Sequence, residues 1–120
     1  MKKHNTRTLS TFKKSKQLRS LSMLTCYDYQ SACLMNETDL DIILVGDSLG
    51  NVVLGLDTTI GVTIDHMEIF SQAVKRGAVN KFVVVDVPFG VTHSFDKAIE
   101  QCSELFKNDL ASVPQSLRQF

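Results

Sequence analysis

No apolar run in these 120 residues approaches the roughly 18 that a membrane-spanning helix needs. The longest, Ile42–Val45 and Phe82–Val85, have the length of strands. Acidic residues are missing from residues 1–20, which hold seven of the 13 lysines and arginines. The other 100 residues therefore carry six basic against 13 acidic groups. No apolar segment follows the leading lysines, which excludes a secretory signal. The basic arm has no aromatic interleaving beyond Phe12 and no clean amphipathic stripe, so nucleic acid and membrane are not indicated as partners. A solvated leader or short surface helix is expected there; Arg, Ser and Thr without acids also leave a transit peptide open. Cys26, Cys33 and Cys102 are odd in number and form no CxxC pair, which suits a reducing cytoplasm better than a disulfide framework. Their apolar neighbours predict buried structural thiols. There is no internal repeat and no low-complexity segment.

What is present is ordinary for a globular domain: 43% hydrophobic and 22% charged residues. The stretch "LSMLTCYDY" (21–29) opens as a strand. "DYQSACLMNETD" (28–39) predicts a helix capped by Asp28, with Ala32, Leu34 and Met35 on a buried face. "DIILVG" (41–46) and "KFVVVDVPF" (81–89) are continuous apolar strands, the second ended by Pro88. Between them, residues 47–63 contain three glycines and little period, and predict a long loop. Residues 63–77 predict a helix capped by Thr63 or Asp65, with Glu68 closing a capping box on Asp65 and Gly77 at C′. Residues 94–108 predict another, with Ser94 as cap and Phe95, Ile99, Cys102 and Leu105 or Phe106 at helical spacing. This alternation predicts an α/β fold with a parallel sheet covered on both faces.

Both apolar strands end in a carboxylate, in "ILVGDSLG" (42–49) and "VVVDVPFG" (83–90). In parallel sheets ligands gather at the carboxyl ends of strands. Tyr27 and Asp28, Asp47 and Ser48, and Asp86 all fall there. Strands joined by one crossover are often neighbours, about 4.8 Å apart, so Asp47 and Asp86 can converge. Two anions in a cleft repel unless a cation lies between them, and oxygen donors without thiols favour a hard ion such as Mg²⁺. Ser48 is placed to donate to a bound carboxylate, and Gly46 to let backbone approach a ligand. The alternative is two structural turn aspartates. His66, in a helix's first turn, and His93, in a loop, have no partner at metal spacing and are expected at the surface. "GNVVLG" lacks the strand–turn–helix context of a phosphate loop.

The segments "TCYDYQSA", "ILVGDSLGNVVLGLDTT", "VTIDHM", "AVKRGA" and "VVVDVPFG", in this order and spacing, resemble ketopantoate hydroxymethyltransferases over about residues 9–106. The leader resembles that family's N-terminal helix, which argues against a transit peptide. The resemblance implies a (β/α)₈ TIM-type barrel assembled into a homo-oligomer, typically a decamer, in the cytoplasm. It implies transfer of a hydroxymethyl group from 5,10-methylenetetrahydrofolate to 3-methyl-2-oxobutanoate, giving 2-dehydropantoate for pantothenate and coenzyme A synthesis. It implies that Asp47 and Asp86 hold Mg²⁺, and that Asp47, Ser48 and Asp86 line the pocket for the α-keto acid. Chelation of such an acid polarises its ketone and stabilises the enolate that attacks the one-carbon unit.

The departure from the family lies at the C-terminal end. A (β/α)₈ chain runs to roughly 250 residues, and this sequence has 120. The family's fourth-strand pattern, Gly-Ala-x-x-Val-Lys-x-Glu, has no counterpart, nor does its later general base, so no catalytic residue is assigned. The expected organisation is a basic leader with a helix (1–20), three β/α units of a truncated barrel (21–106) and a divergent tail (107–120). A frameshift near residues 107–111 is one origin for that tail. Reading Val113 through Arg118 one base earlier permits Gly-Ala-Ala-Ile-Val-Lys, a partial match to the fourth strand. Three readings follow: an incomplete, weakly active or inactive transferase; a non-catalytic remnant that associates with intact barrel subunits; or a related Mg²⁺-dependent α-keto-acid lyase or mutase.

Overall fold

A computed structural model describes residues 20–107. The leader at 1–19, the tail at 108–120 with its frameshift reading, and the side chain of Phe106 lie outside the described residues. The order is β1 (Met23–Thr25), α1 (Tyr29–Asn36), β2 (Ile42–Val45), α2 (Leu49–Val52), a 3-10 turn (Thr59–Gly61), α3 (Ile64–Gly77), β3 (Phe82–Val85), a second 3-10 turn (Val91–His93) and α4 (Phe95–Lys107). All pairings are parallel, in the order β1-β2-β3, with Met23 level with Ile42 and Ile42 level with Phe82.

Register assigns the faces. Ile43 and Val83 are paired, as are Val45 and Val85, so these four project to one side. They share a core with Ala32 of α1, Leu49 of α2, and Met67 and Val74 of α3. Burying each such large side chain stabilises the fold by about 1.5–3 kcal/mol. The other side carries Met23, Thr25, Ile42, Leu44 and Val84, which are exposed or half-buried, and Phe82, which is buried. Among the described residues, α1 and α3 cover one face of the sheet, and on the other Phe82 is buried while its neighbours are not, where the apolar strands predict cover on both. Runs such as "IILV" are apolar on either count, so composition alone cannot say which face has a partner.

Local chemistry sets the helix limits. Asp28 caps α1, its carboxylate accepting the Ser31 N–H at 2.8 Å. Thr63 caps α3, but its capping-box partner is His66, whose Nδ1 accepts the Thr63 N–H at 3.1 Å. Asp65 and Glu68 do not play the roles expected of them. Ser94 accepts the Lys97 N–H at 3.3 Å at the start of α4, as predicted. Gly77 is the last residue of α3 rather than a left-handed C′. A Cβ there would lie 2.6 Å from the Tyr29 carbonyl oxygen and 2.8 Å from the Ala32 Cβ, so its role is close packing of α3 on α1. Leu34, expected inside, is 70% exposed. Phe95 and Ile99 of α4 are also exposed, whereas Leu105 is buried. Of the cysteines, all free, Cys26 is buried and the other two are half-buried.

The amino ends of the strands carry a polar row that the sequence reading passed over. Asp41 is fully buried, and its Oδ2 accepts the Ser22 N–H at 3.0 Å and the Ser22 hydroxyl at 3.1 Å. Buried Lys81 donates to the Thr38 carbonyl oxygen. These contacts tie the starts of β1, β2 and β3 together and leave the opposite rim for chemistry.

Candidate functional site at the carboxyl rim

The ladder runs one residue past the strands: the Cys26 N–H donates to Leu44 O and the Asp86 N–H to Val45 O, both at 3.0 Å. This brings Tyr27, Gly46 and Asp86, from the ends of β1, β2 and β3, to one level. Asp86 Oδ2 then accepts the backbone N–H of Asp47 at 3.1 Å. Asp47 and Ser48 are pinned between two fully buried anchors, Val45 and Leu49. A four-residue helix, α2, follows where a loop was expected. Ser48 occupies its N-cap but makes no side-chain cap bond. Its Oγ instead meets the Tyr27 hydroxyl at 2.6 Å.

Gly46 sits between these groups. A Cβ on it would lie 3.1 Å from Ser48 Oγ and 3.3 Å from Asp86 Oδ2. The glycine makes room for the site's own oxygens, where the sequence suggests room for an incoming ligand. Asp47, Ser48 and Asp86, all half-buried, thus lie on one rim. Tyr27 joins them. The sequence puts it at a strand end without a role, and the signal that marks it is its register with Gly46 and Asp86.

The neighbouring groups are spoken for. The Ser31 backbone N–H holds the Asp28 carboxyl below the usual carboxylate range. Burial pushes the Cys26 thiol up, and its Sγ–H donates to the Asp28 carbonyl oxygen at 3.5 Å. His66 is bound into its helix cap. His93 packs edge-on against Phe89, with ring centroids 5.5 Å apart. Among the described residues, no group of three or more His, Cys, Asp or Glu side chains could hold a metal ion. Asp47 and Asp86 are the carboxylates that follow β2 and β3.

A parallel α/β sheet with oxygen-bearing side chains at its strand carboxyl ends defines the class, one in which ligands gather at that edge. A sequence model of the family described as ketopantoate hydroxymethyltransferase matches residues 3–114. The chain is 50% identical over 108 residues to the 3-methyl-2-oxobutanoate hydroxymethyltransferase of Exiguobacterium sp. strain AT1b, covering 88% of this chain and 39% of that protein. It is 48% identical over 103 residues to the enzyme of that name from Halalkalibacterium halodurans, covering 84% and 37%. With the Thermosipho africanus protein of that name it shares 43% identity over 107 residues, covering 88% and 40%. The chain belongs to the ketopantoate hydroxymethyltransferase family, a family of transferases. It spans about two-fifths of the length of these relatives.

Proposed function

We propose that this chain carries the oxo-acid half of a hydroxymethyltransferase site, with Asp47 and Asp86 as Mg²⁺ ligands and Ser48 as a donor to the substrate carboxylate. The reaction is transfer of a hydroxymethyl group from 5,10-methylenetetrahydrofolate to 3-methyl-2-oxobutanoate, giving 2-dehydropantoate. The observation that carries the reading is the Asp47 N–H to Asp86 Oδ2 bond, which joins the ends of two adjacent strands. Two carboxylates fit Mg²⁺, which keeps several waters and needs only one or two protein carboxylates beside substrate oxygens. When bound, the ion supplies Lewis acidity to the keto group. The chain's own groups bind and orient: Ser48 faces the substrate carboxylate, and Asp86 holds the Asp47 backbone in place. The general base is not assigned to any residue of these 120.

The fold reading is three β/α units of a (β/α)₈ barrel. Sequential strand order with α1 and α3 on one face supports it, since a doubly wound sheet carries helices on both. The larger protein is read as a cytoplasmic homo-oligomer. Among the described residues no helix is long and apolar enough to cross a membrane.

Calorimetric titration with 3-methyl-2-oxobutanoate, with and without Mg²⁺, tests the site. Saturable binding that needs Mg²⁺ and is lost in Asp47→Asn and Asp86→Asn is expected. Binding indifferent to the ion and to both carboxylates would reject the reading.

A further inference from the structure

We propose that Tyr27 is a positioning residue of this rim, acting through Ser48 so that the pair presents one outward hydroxyl donor to the carboxylate of a small oxo acid. The proposal rests on the functional reading above. Tyr27 Oη and Ser48 Oγ lie 2.6 Å apart, and either can be the donor. The two hydroxyls carry two protons. One is spent between the oxygens whichever way the bond runs. The other points away from the pair.

The surroundings fix this arrangement. Tyr27 packs its ring partly buried against the core, so its hydroxyl is held from the β1 side. Ser48 stands at the start of α2 with an αR backbone (φ −57°, ψ −13°), not the extended conformation from which a serine hydroxyl caps a helix. It makes no cap bond. The Tyr27 hydroxyl is the partner that orients the Ser48 hydroxyl at the rim, beside the space that Gly46 leaves open. With the phenol oxygen removed, the Ser48 hydroxyl loses this partner and rotates among its staggered positions, so the donor is no longer preset. Asp86 and Asp47 are engaged with each other by a separate bond, so this effect is confined to the organic ligand.

Titration of the 120-residue chain with 3-methyl-2-oxobutanoate in Mg²⁺, and separately with Mg²⁺ alone, reads the effect. Tyr27→Phe is expected to weaken oxo-acid binding about ten-fold, the loss of one well-placed hydrogen bond, and to leave Mg²⁺ affinity unchanged. Ser48→Ala is expected to lose a similar factor. The double variant is expected to lose no more than the larger single, because both changes remove the same donor. Oxo-acid binding by Tyr27→Phe equal to that of the unaltered chain, or additive losses in the double variant, overturns the proposal. So does a parallel loss of Mg²⁺ affinity in Tyr27→Phe, which marks general damage to the rim. Failure of the unaltered chain to bind the oxo acid removes the functional reading and this proposal with it. Binding by the unaltered chain with an indifferent Tyr27→Phe removes the role of Tyr27 alone.

Discussion

The backbone N–H of Asp47 donates to Oδ2 of Asp86 at 3.1 Å, so one carboxylate positions the chain that carries the other. Charge and acceptor can be separated here. Asp86→Asn keeps an oxygen for the Asp47 N–H and loses the negative charge. Asp86→Ala loses both and leaves a half-buried N–H without its acceptor. The expected result is a large loss of Mg²⁺ affinity in both variants. Only the alanine variant should also lose stability, by about 1–3 kcal/mol. Mg²⁺ titrations paired with urea melts check this; equal stability of the two variants would count against the positioning role.

Gly77 gives a packing prediction. An added Cβ meets backbone and Cβ atoms of α1 at 2.6 and 2.8 Å, none of them the far end of a flexible side chain. Alanine would gain about 1 kcal/mol of helix propensity in open space. Overpacking of this kind costs about 1–3 kcal/mol, and the two helices have to separate to relieve it. Gly77→Ala is expected to lower the urea midpoint, with the slope unchanged. A raised midpoint would mean that Gly77 is a simple helix end.

The strands and the rim were legible because their signals are local. "IILVGD" and "FVVVD" state strand, end and carboxylate within six residues. Asp28, Thr63 and Ser94 were legible as caps for the same reason. What the sequence hid depends on partners brought from elsewhere. α2 is four residues long, too short to show a period, and Ser48 makes no cap bond to mark its start. Gly77 looked like a helix terminator because the contact that needs it comes from residues 29–33. His66 replaced Glu68 as capping-box partner because an imidazole acceptor at N3 lies outside the usual Ser/Thr-to-Glu/Gln pattern. Tyr27 joins the rim only through the parallel register that sets it level with Gly46 and Asp86. The second face of the sheet is the same limit at larger scale, since an apolar face reads alike with or without its cover.

Asp28 predicts an acid-dependent cap. Its carboxyl is held below its ordinary value chiefly by the Ser31 backbone N–H, so the folded state binds its proton less readily than the unfolded chain. The contribution is therefore fully present above the unfolded carboxylate value, near pH 4, and is lost as pH falls through the lower folded value. Asp28→Ala is expected to cost about 1 kcal/mol at pH 7, the usual worth of an N-cap. Asp28→Ser should retain most of that stability and lose the acid-dependent part. Thermal melts from pH 7 to pH 3 check both. A serine variant with the acid sensitivity of the unaltered chain would place that sensitivity in another group.

The face of the sheet turned away from α1 and α3 predicts how the 120-residue polypeptide behaves by itself. Leu44 and Val84 lie side by side there, half-buried, with Met23 and Ile42 level with each other one step nearer the amino ends. Among the described residues, β1 and β3 each pair with β2 alone, so both have an open edge. An apolar face beside unpaired strand edges draws copies together. The rim meanwhile offers two carboxylates and no assigned base. The polypeptide is therefore expected to sediment well above its 13.4 kDa monomer mass and to form little or no 2-dehydropantoate. Mixing it with an intact homologue and following mass checks whether barrel subunits take up the same face; co-assembly would favour the associating remnant over a free enzyme. A monodisperse 13.4 kDa species with a cooperative melt and robust turnover would contradict the prediction.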